Sequence, residues 1–156
     1  MWVFDATPLI YLAKVDQLTL ISELDESCVI PDRVYTEVVD TGIEQGYTDA
    51  RRIERSVEDD ILSVISVDNG EFVSRIQRNP KLSAADVAVL ACAYTHDGVA
   101  VMDETYGRDV ASTEGITTRG TAYLVLSLAS QNVISVEKAR TVIDAMVEEG
   151  WYCSPS

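Results

Sequence analysis

The sequence predicts an α/β fold of three layers, in which a central, mostly parallel sheet of four to five strands is covered by helices on both faces. Three observations lead to it. Short apolar runs alternate along the chain with longer segments of helical spacing, the pattern of strand–helix–strand units. The first run is apolar throughout, as in a parallel strand buried on both faces. The 156 residues, 47% of them hydrophobic, suffice for one domain with a real core.

The elements follow in order. Trp2-Val3-Phe4 is the first strand and ends in Asp5. Thr7-Pro8 opens a helix through Leu9, Ile10, Leu12 and Ala13, with proline at an early helical position. Gln17 to Leu24 places Leu18, Leu20, Ile21 and Leu24 at helical spacing. Cys28-Val29-Ile30 is the second strand, stopped by Pro31, and Asp32 is expected to cap a helix whose Val34, Val38 and Val39 point inward. Thr41-Gly42 to Gly46-Tyr47 reads as a loop, Thr48 or Asp49 as the cap of the next helix, and Ile61 to Val67 as the third strand. Asp68 is expected to cap a helix holding Phe72, Val73 and Ile76 that ends near Asn79-Pro80.

Ser83 starts the clearest helix, with Val87, Leu90, Ala91 and Tyr94 on one side, and His96-Asp97-Gly98 breaks it. Val99 to Met102 is the fourth strand, ending in Asp103-Glu104. A helix near Tyr106 to Thr113, a fifth strand Ile116-Thr117-Thr118, and an apolar helix from Gly120 to Gln131 come next. Ser135 caps the last helix and Gly150 ends it. No repeat, low-complexity tract or linker is visible, so a single domain over residues 1–156 is expected.

Composition removes several function classes. No run of about 18 apolar residues offers a membrane span, and the start lacks the basic region of a signal peptide. Cys28, Cys92 and Cys153 are scattered, no C-x-x-C occurs and His96 is the only histidine. Zinc centres and histidine triads are therefore excluded, a reducing cytoplasm is expected, and chemistry falls to carboxylates. The 26 acidic and 12 basic side chains give a net charge of −14 and a pI near 4.2. That charge argues against a nucleic-acid partner, unless it reflects a halophile's salt-adapted surface. The scarcity of lysine, three against nine arginines, accompanies the second reading.

Candidate chemistry lies at the strand ends. Asp5 and Asp103 each follow an apolar strand, where open α/β sheets bind ligands; either could also simply cap the next helix. Glu37 sits at the margin of the apolar face carried by Val34 and Val38. Ser83-Ala84-Ala85-Asp86 is a capping-box pattern, and a carboxylate at a helix N-terminus stays ionised. Four converging carboxylates repel one another unless a cation sits among them, and oxygen-only ligands select Mg2+ or Mn2+. Such ions activate water and stabilise phosphoryl charge, the logic of a phosphodiester hydrolase without histidine.

The order of motifs resembles the PIN-domain family. The matching segments are Val3-Phe4-Asp5-Ala6-Thr7-Pro8-Leu9-Ile10, Ile30-Pro31-Asp32-Arg33-Val34-Tyr35-Thr36-Glu37-Val38, Leu82-Ser83-Ala84-Ala85-Asp86-Val87-Ala88-Val89-Leu90 and Val101-Met102-Asp103-Glu104. Gly107-Arg108-Asp109-Val110-Ala111, Gly115-Ile116 and Arg119-Gly120-Thr121 extend the likeness over nearly the whole chain. It resembles the compact single-domain PIN proteins of prokaryotes, which include VapC-like toxins. The resemblance implies a Rossmann-like sheet and a Mg2+- or Mn2+-dependent endoribonuclease that cuts RNA with metal-activated water. Asp5, Glu37, Asp86 and Asp103 would be its catalytic, metal-binding acids. Thr7 matches an orienting hydroxyl residue, and Glu104 would be a fifth, outer ligand. A homodimer and a cognate antitoxin would be its partners.

The local basic footprint for RNA is small. Between Phe72 and Ala85 no acid occurs while Arg75, Arg78 and Lys81 do. Arg75 and Arg78 share a helix face, and with Arg108 they are expected to hold substrate phosphates. Tyr123, Leu124, Leu126 and Leu128 suggest a core or dimer helix, Trp2 and Trp151 are expected at the sheet edges, and Cys92 in the core. Three rivals stay open: a PIN-like module that binds RNA or a partner without cutting, a housekeeping nuclease for ribosomal or transfer RNA, and an aspartyl phosphatase. The last generally needs Asp-x-Asp at the first strand end, where this chain has Asp5-Ala6-Thr7.

Overall fold

Val3 and Phe4 are wholly shielded from solvent, and the strand that carries them, β1 (Trp2–Phe4), is the middle strand of the sheet. The structure, a computed structural model, describes residues 1–152; Cys153 lies outside the described residues. The other strands are β2 (Cys28–Pro31), β3 (Ser63–Ile65), β4 (Val99–Val101) and β5 (Thr118–Arg119). All pair in parallel in the order β3-β2-β1-β4-β5. Phe4 lies opposite Val101, so the residues that follow β1 and β4 emerge level, at one edge.

The helices are α1 (Ala6–Lys14), α2 (Asp32–Tyr35), α3 (Gly42–Glu44), α4 (Thr48–Glu58), α5 (Glu71–Ile76), α6 (Ala84–His96), α7 (Thr105–Thr113), α8 (Thr121–Ser130) and α9 (Val136–Glu148). Helix α6 packs across β1, β2 and β4, whereas α1 packs against α4 and α9. These are the two helical layers of the expected three-layer α/β architecture. Helix α6 is buried almost all round, from Val87 to Ala93, which its near-continuous apolar sequence dictates. Its capping box forms in full: the Ser83 hydroxyl accepts from the Asp86 N–H at 3.0 Å and the Asp86 carboxylate accepts from the Ser83 N–H at 2.9 Å. Ser135 caps α9 with its hydroxyl alone, accepting from Lys138 N–H. Among the described residues, no helix is long and apolar enough to cross a membrane.

Several local expectations are corrected. Gly42 is not in a loop. Asp32 to Glu44 is one winding helical stretch, α2 and α3 joined by a π-helical turn at Thr36–Thr41. A Cβ on Gly42 would lie 2.7 Å from the Ala50 Cβ, so this glycine lets α3 and α4 approach closely. Asp32, Thr48 and Asp49 fall inside first turns, behind Pro31 and Tyr47 as cap residues, and neither cap makes a side-chain bond. Gly70, not Asp68, precedes α5. The Leu18–Glu23 segment winds as a tight 3-10 helix. The third strand is shorter than expected, and the fifth forms two residues later. Both are outer strands, where burial gives the sequence little apolar signal. Tyr94 is 52% exposed and stacks on Phe72, ring centres 4.3 Å apart, instead of entering the core. Trp2 starts the central strand rather than an edge. Cys28 and Cys92 are buried free thiols.

Candidate active site

Asp5 is placed by β1, and burial dominates its chemistry. It occupies the cap position of α1 without making a side-chain cap bond and is only 7% exposed. Its carboxyl is raised from 3.8 to about 7. Burial is the largest cause, followed by the charge of Asp86; the Ala6 N–H pulls the other way, and Glu37 and Glu104 push further up. A carboxylate held in so negative a field ionises with difficulty unless positive charge arrives.

The three acids that act on Asp5 come from separate elements at the carboxyl edge of the sheet. Glu37 is exposed within the π-helical turn after β2. The flanking Val38 and Val39 are both buried, which anchors the widened turn; such turns recur at functional sites. Asp86 is the third residue of α6, half-buried, with one oxygen held by Ser83 N–H. Glu104 is the cap residue of α7 just after β4, and it is exposed. Thr7 is exposed on the first turn of α1. The edge is where the strand order reverses, β1 leading to β2 on one side while β4 lies on the other, the usual place for a ligand crevice.

Asp103 is engaged differently. Its Oδ1 accepts from Thr121 N–H at 2.8 Å, and its Oδ2 accepts from the Thr121 hydroxyl at 2.7 Å and from Trp151 Nε1–H at 3.0 Å. It therefore caps α8 and fastens the segment after α9. Gly120 leaves room for this, since a Cβ there would lie 3.1 Å from Asp103 Oδ1. Sequence reasoning missed Thr121 and Trp151 as its partners. An aromatic residue directly after the helix-ending Gly150 was the available signal. Trp151, which donates this bond, is buried.

The donor set suits a hard divalent cation: carboxylate oxygens alone, with no sulfur or imidazole beside them. Among the described residues, no three acidic, histidine or cysteine side chains stand close enough to clasp an ion. The acids share a field without closing on one point.

The basic residues divide. Arg75 forks onto Glu114, with Nε donating at 3.2 Å and an Nη at 2.9 Å, and lies over the Phe72 ring. Lys81 lies over the Tyr106 ring at 5.1 Å, and Arg119 over Tyr123 at 4.8 Å. Arg78 and Arg108 have no acidic partner among the described residues.

A family model described as a PIN domain matches the chain over residues 1–156. The search of curated proteins returned no match.

Proposed function

Because the chain belongs to the PIN-domain family, whose members are generally nucleases that use divalent metals, we propose that it is a Mg2+- or Mn2+-dependent endoribonuclease and the toxin of a toxin–antitoxin pair. One observation carries the site: the fields of Asp86, Glu37 and Glu104 converge on a buried Asp5. These four acids are the proposed cation holders, with Glu104 taking the place that sequence order gave to Asp103. Asp103 becomes a positioning residue that fixes α8 and Trp151 beside the site. A bound cation supplies Lewis-acid activation of water and neutralises charge on the phosphodiester. Asp5 releases its proton when that positive charge is near. Asp86 keeps one oxygen on Ser83 N–H and leaves the other for the ligand, while Thr7 is a candidate to orient water. Of the three arginines expected to hold substrate phosphates, Arg78 and Arg108 are the two that no acid holds among the described residues.

The toxin role rests on the resemblance of the Asp5-Ala6-Thr7-Pro8-Leu9-Ile10 start to that branch of the family. Exposed Tyr123, Leu126 and Val136 support a homodimer face or a seat for the antitoxin, and buried free Cys28 and Cys92 fit a reducing cytoplasm. The single-domain reading suits a family match that spans the chain.

The test is an RNA-cleavage assay with Mn2+ at molar KCl. Wild type should leave 5′-phosphate and 3′-hydroxyl ends, and folded Asp5→Asn should be at least about 100-fold slower. Full activity in that variant counts against the site. For the toxin role, expression of wild type but not Asp5→Asn should arrest growth. A second reading, a module that binds RNA without cutting, is favoured by the engagement of both Asp103 oxygens. Absence of Mn2+ binding by calorimetry would support it.

A further inference from the structure

Three hollows meet at Asn69. One, of about 720 Å3, reaches Glu37 and Ser83 and so adjoins the candidate acids. A second, of about 650 Å3, leads to Arg75 and Arg78. Between α5 and α6 lies the third, a narrower cleft of about 230 Å3. Together they form a groove that runs from the acids to the basic end of α5.

The narrow cleft has the chemistry of a ring-binding pocket. Its floor is apolar and buried, made by Val73, Val87 and Ala88. Its rim is polar and exposed: Asp32, Arg33, Asn69 and Gln77. Pockets for drug-sized ligands run to about 300–1,000 Å3, so this one suits a single ring system. The rim offers an acceptor-only carboxylate, a donor-only guanidinium and two amides that do both. That combination reads the edge of a flat ring whose faces are apolar, which is how unstacked bases of single-stranded RNA are recognised.

We propose that this cleft holds one nucleobase of the RNA beside the cut phosphate, with Asn69 and Gln77 reading its edge. The proposal rests on the nuclease reading above and gives that site a sequence preference. Neither residue belongs to the acidic set, and both are exposed, so their truncation spares the fold.

The experiment has two arms. In the first, wild type and the Asn69→Ala/Gln77→Ala variant cut an RNA pool with randomised flanks, and the new ends are sequenced. Wild type should favour one base at one position by about tenfold or more, and the variant should cut without that preference. In the second, metal-free Asp5→Asn protein is titrated by NMR with each nucleoside 5′-monophosphate. The side-chain amide signals of Asn69 and Gln77 should shift with one base more than the others. Identical end distributions from wild type and variant overturn the pocket and leave the nuclease standing. Absence of cleavage with amide shifts intact overturns the nuclease and leaves the pocket. Absence of shifts overturns the pocket.

Discussion

Trp151 donates its indole N–H to Asp103 Oδ2 over 3.0 Å, so the segment after the last helix is fastened to the tip of β4. Thr121 holds the same carboxylate through its N–H and hydroxyl. A structural duty for Asp103 follows, and it separates this acid from its neighbour Glu104. Trp151→Phe removes the donor together with part of the buried indole and should lower stability by about 1–3 kcal/mol in urea unfolding. Asp103→Ala should lower stability at least as much. Glu104→Gln should leave the urea midpoint unchanged and slow cleavage by about 100-fold or more. If Glu104→Gln cuts at the wild-type rate, the fourth ligand position belongs elsewhere.

The buried Asp5 makes metal-free stability depend on pH. Its carboxyl sits at about 7 in the fold against an ordinary 3.8. Between those values the folded protein keeps a proton that the unfolded chain has lost. Its contribution is therefore fully present below about pH 4 and is lost as pH rises to about 7. At about 1.4 kcal/mol per pH unit in that window, Asp5→Asn in EDTA should be more stable than wild type by roughly 2–4 kcal/mol at pH 8. The gain should vanish near pH 4 and shrink on adding Mg2+. A difference that ignores pH would contradict the field described at this residue.

Gly42 tests the helix contact. In an exposed helix, alanine is better than glycine by about 1 kcal/mol. Here the added Cβ would lie 2.7 Å from the Ala50 Cβ, so Gly42→Ala should destabilise instead, by about 1–3 kcal/mol. Ala50→Gly in that background should recover part of the loss. Thermal unfolding of the two variants against wild type measures both effects.

The surface charge predicts a response to salt. Of the 26 acidic side chains, few are paired: among the described residues the ion pairs are Met1–Glu26, Arg51–Glu54, Arg52–Asp16 and Arg75–Glu114. Exposed pairs contribute little, so screening removes more repulsion than attraction. The urea midpoint should rise from about 0.1 M to about 2 M KCl. A flat response would set aside the salt-adapted reading.

The sequence revealed what local chemistry determines. β1, β2 and β4 are dense apolar runs, and the Ser83 and Ser135 caps depend on residues three apart. Gly42 was illegible because a glycine marks either a turn or a close approach, and only the position of Ala50 decides. The adjacent acids Asp103 and Glu104 were illegible for a related reason. What holds Asp103 depends on Thr121 and Trp151, partners distant in sequence. Arg75 reads as a free cation until Glu114, 39 residues on, is seen to hold it.

The sheet order has a consequence for synthesis. β1 is made first, yet it stands between β2 and β4, so Asp5 waits on one unfilled flank until β4 and Glu104 have been added. A chain emerging from the ribosome acquires the four proposed acids as a set only once Glu104, the last of them in sequence, has been added. Until then, a nascent chain of this design lacks the complete set of acids on which the proposed cleavage depends.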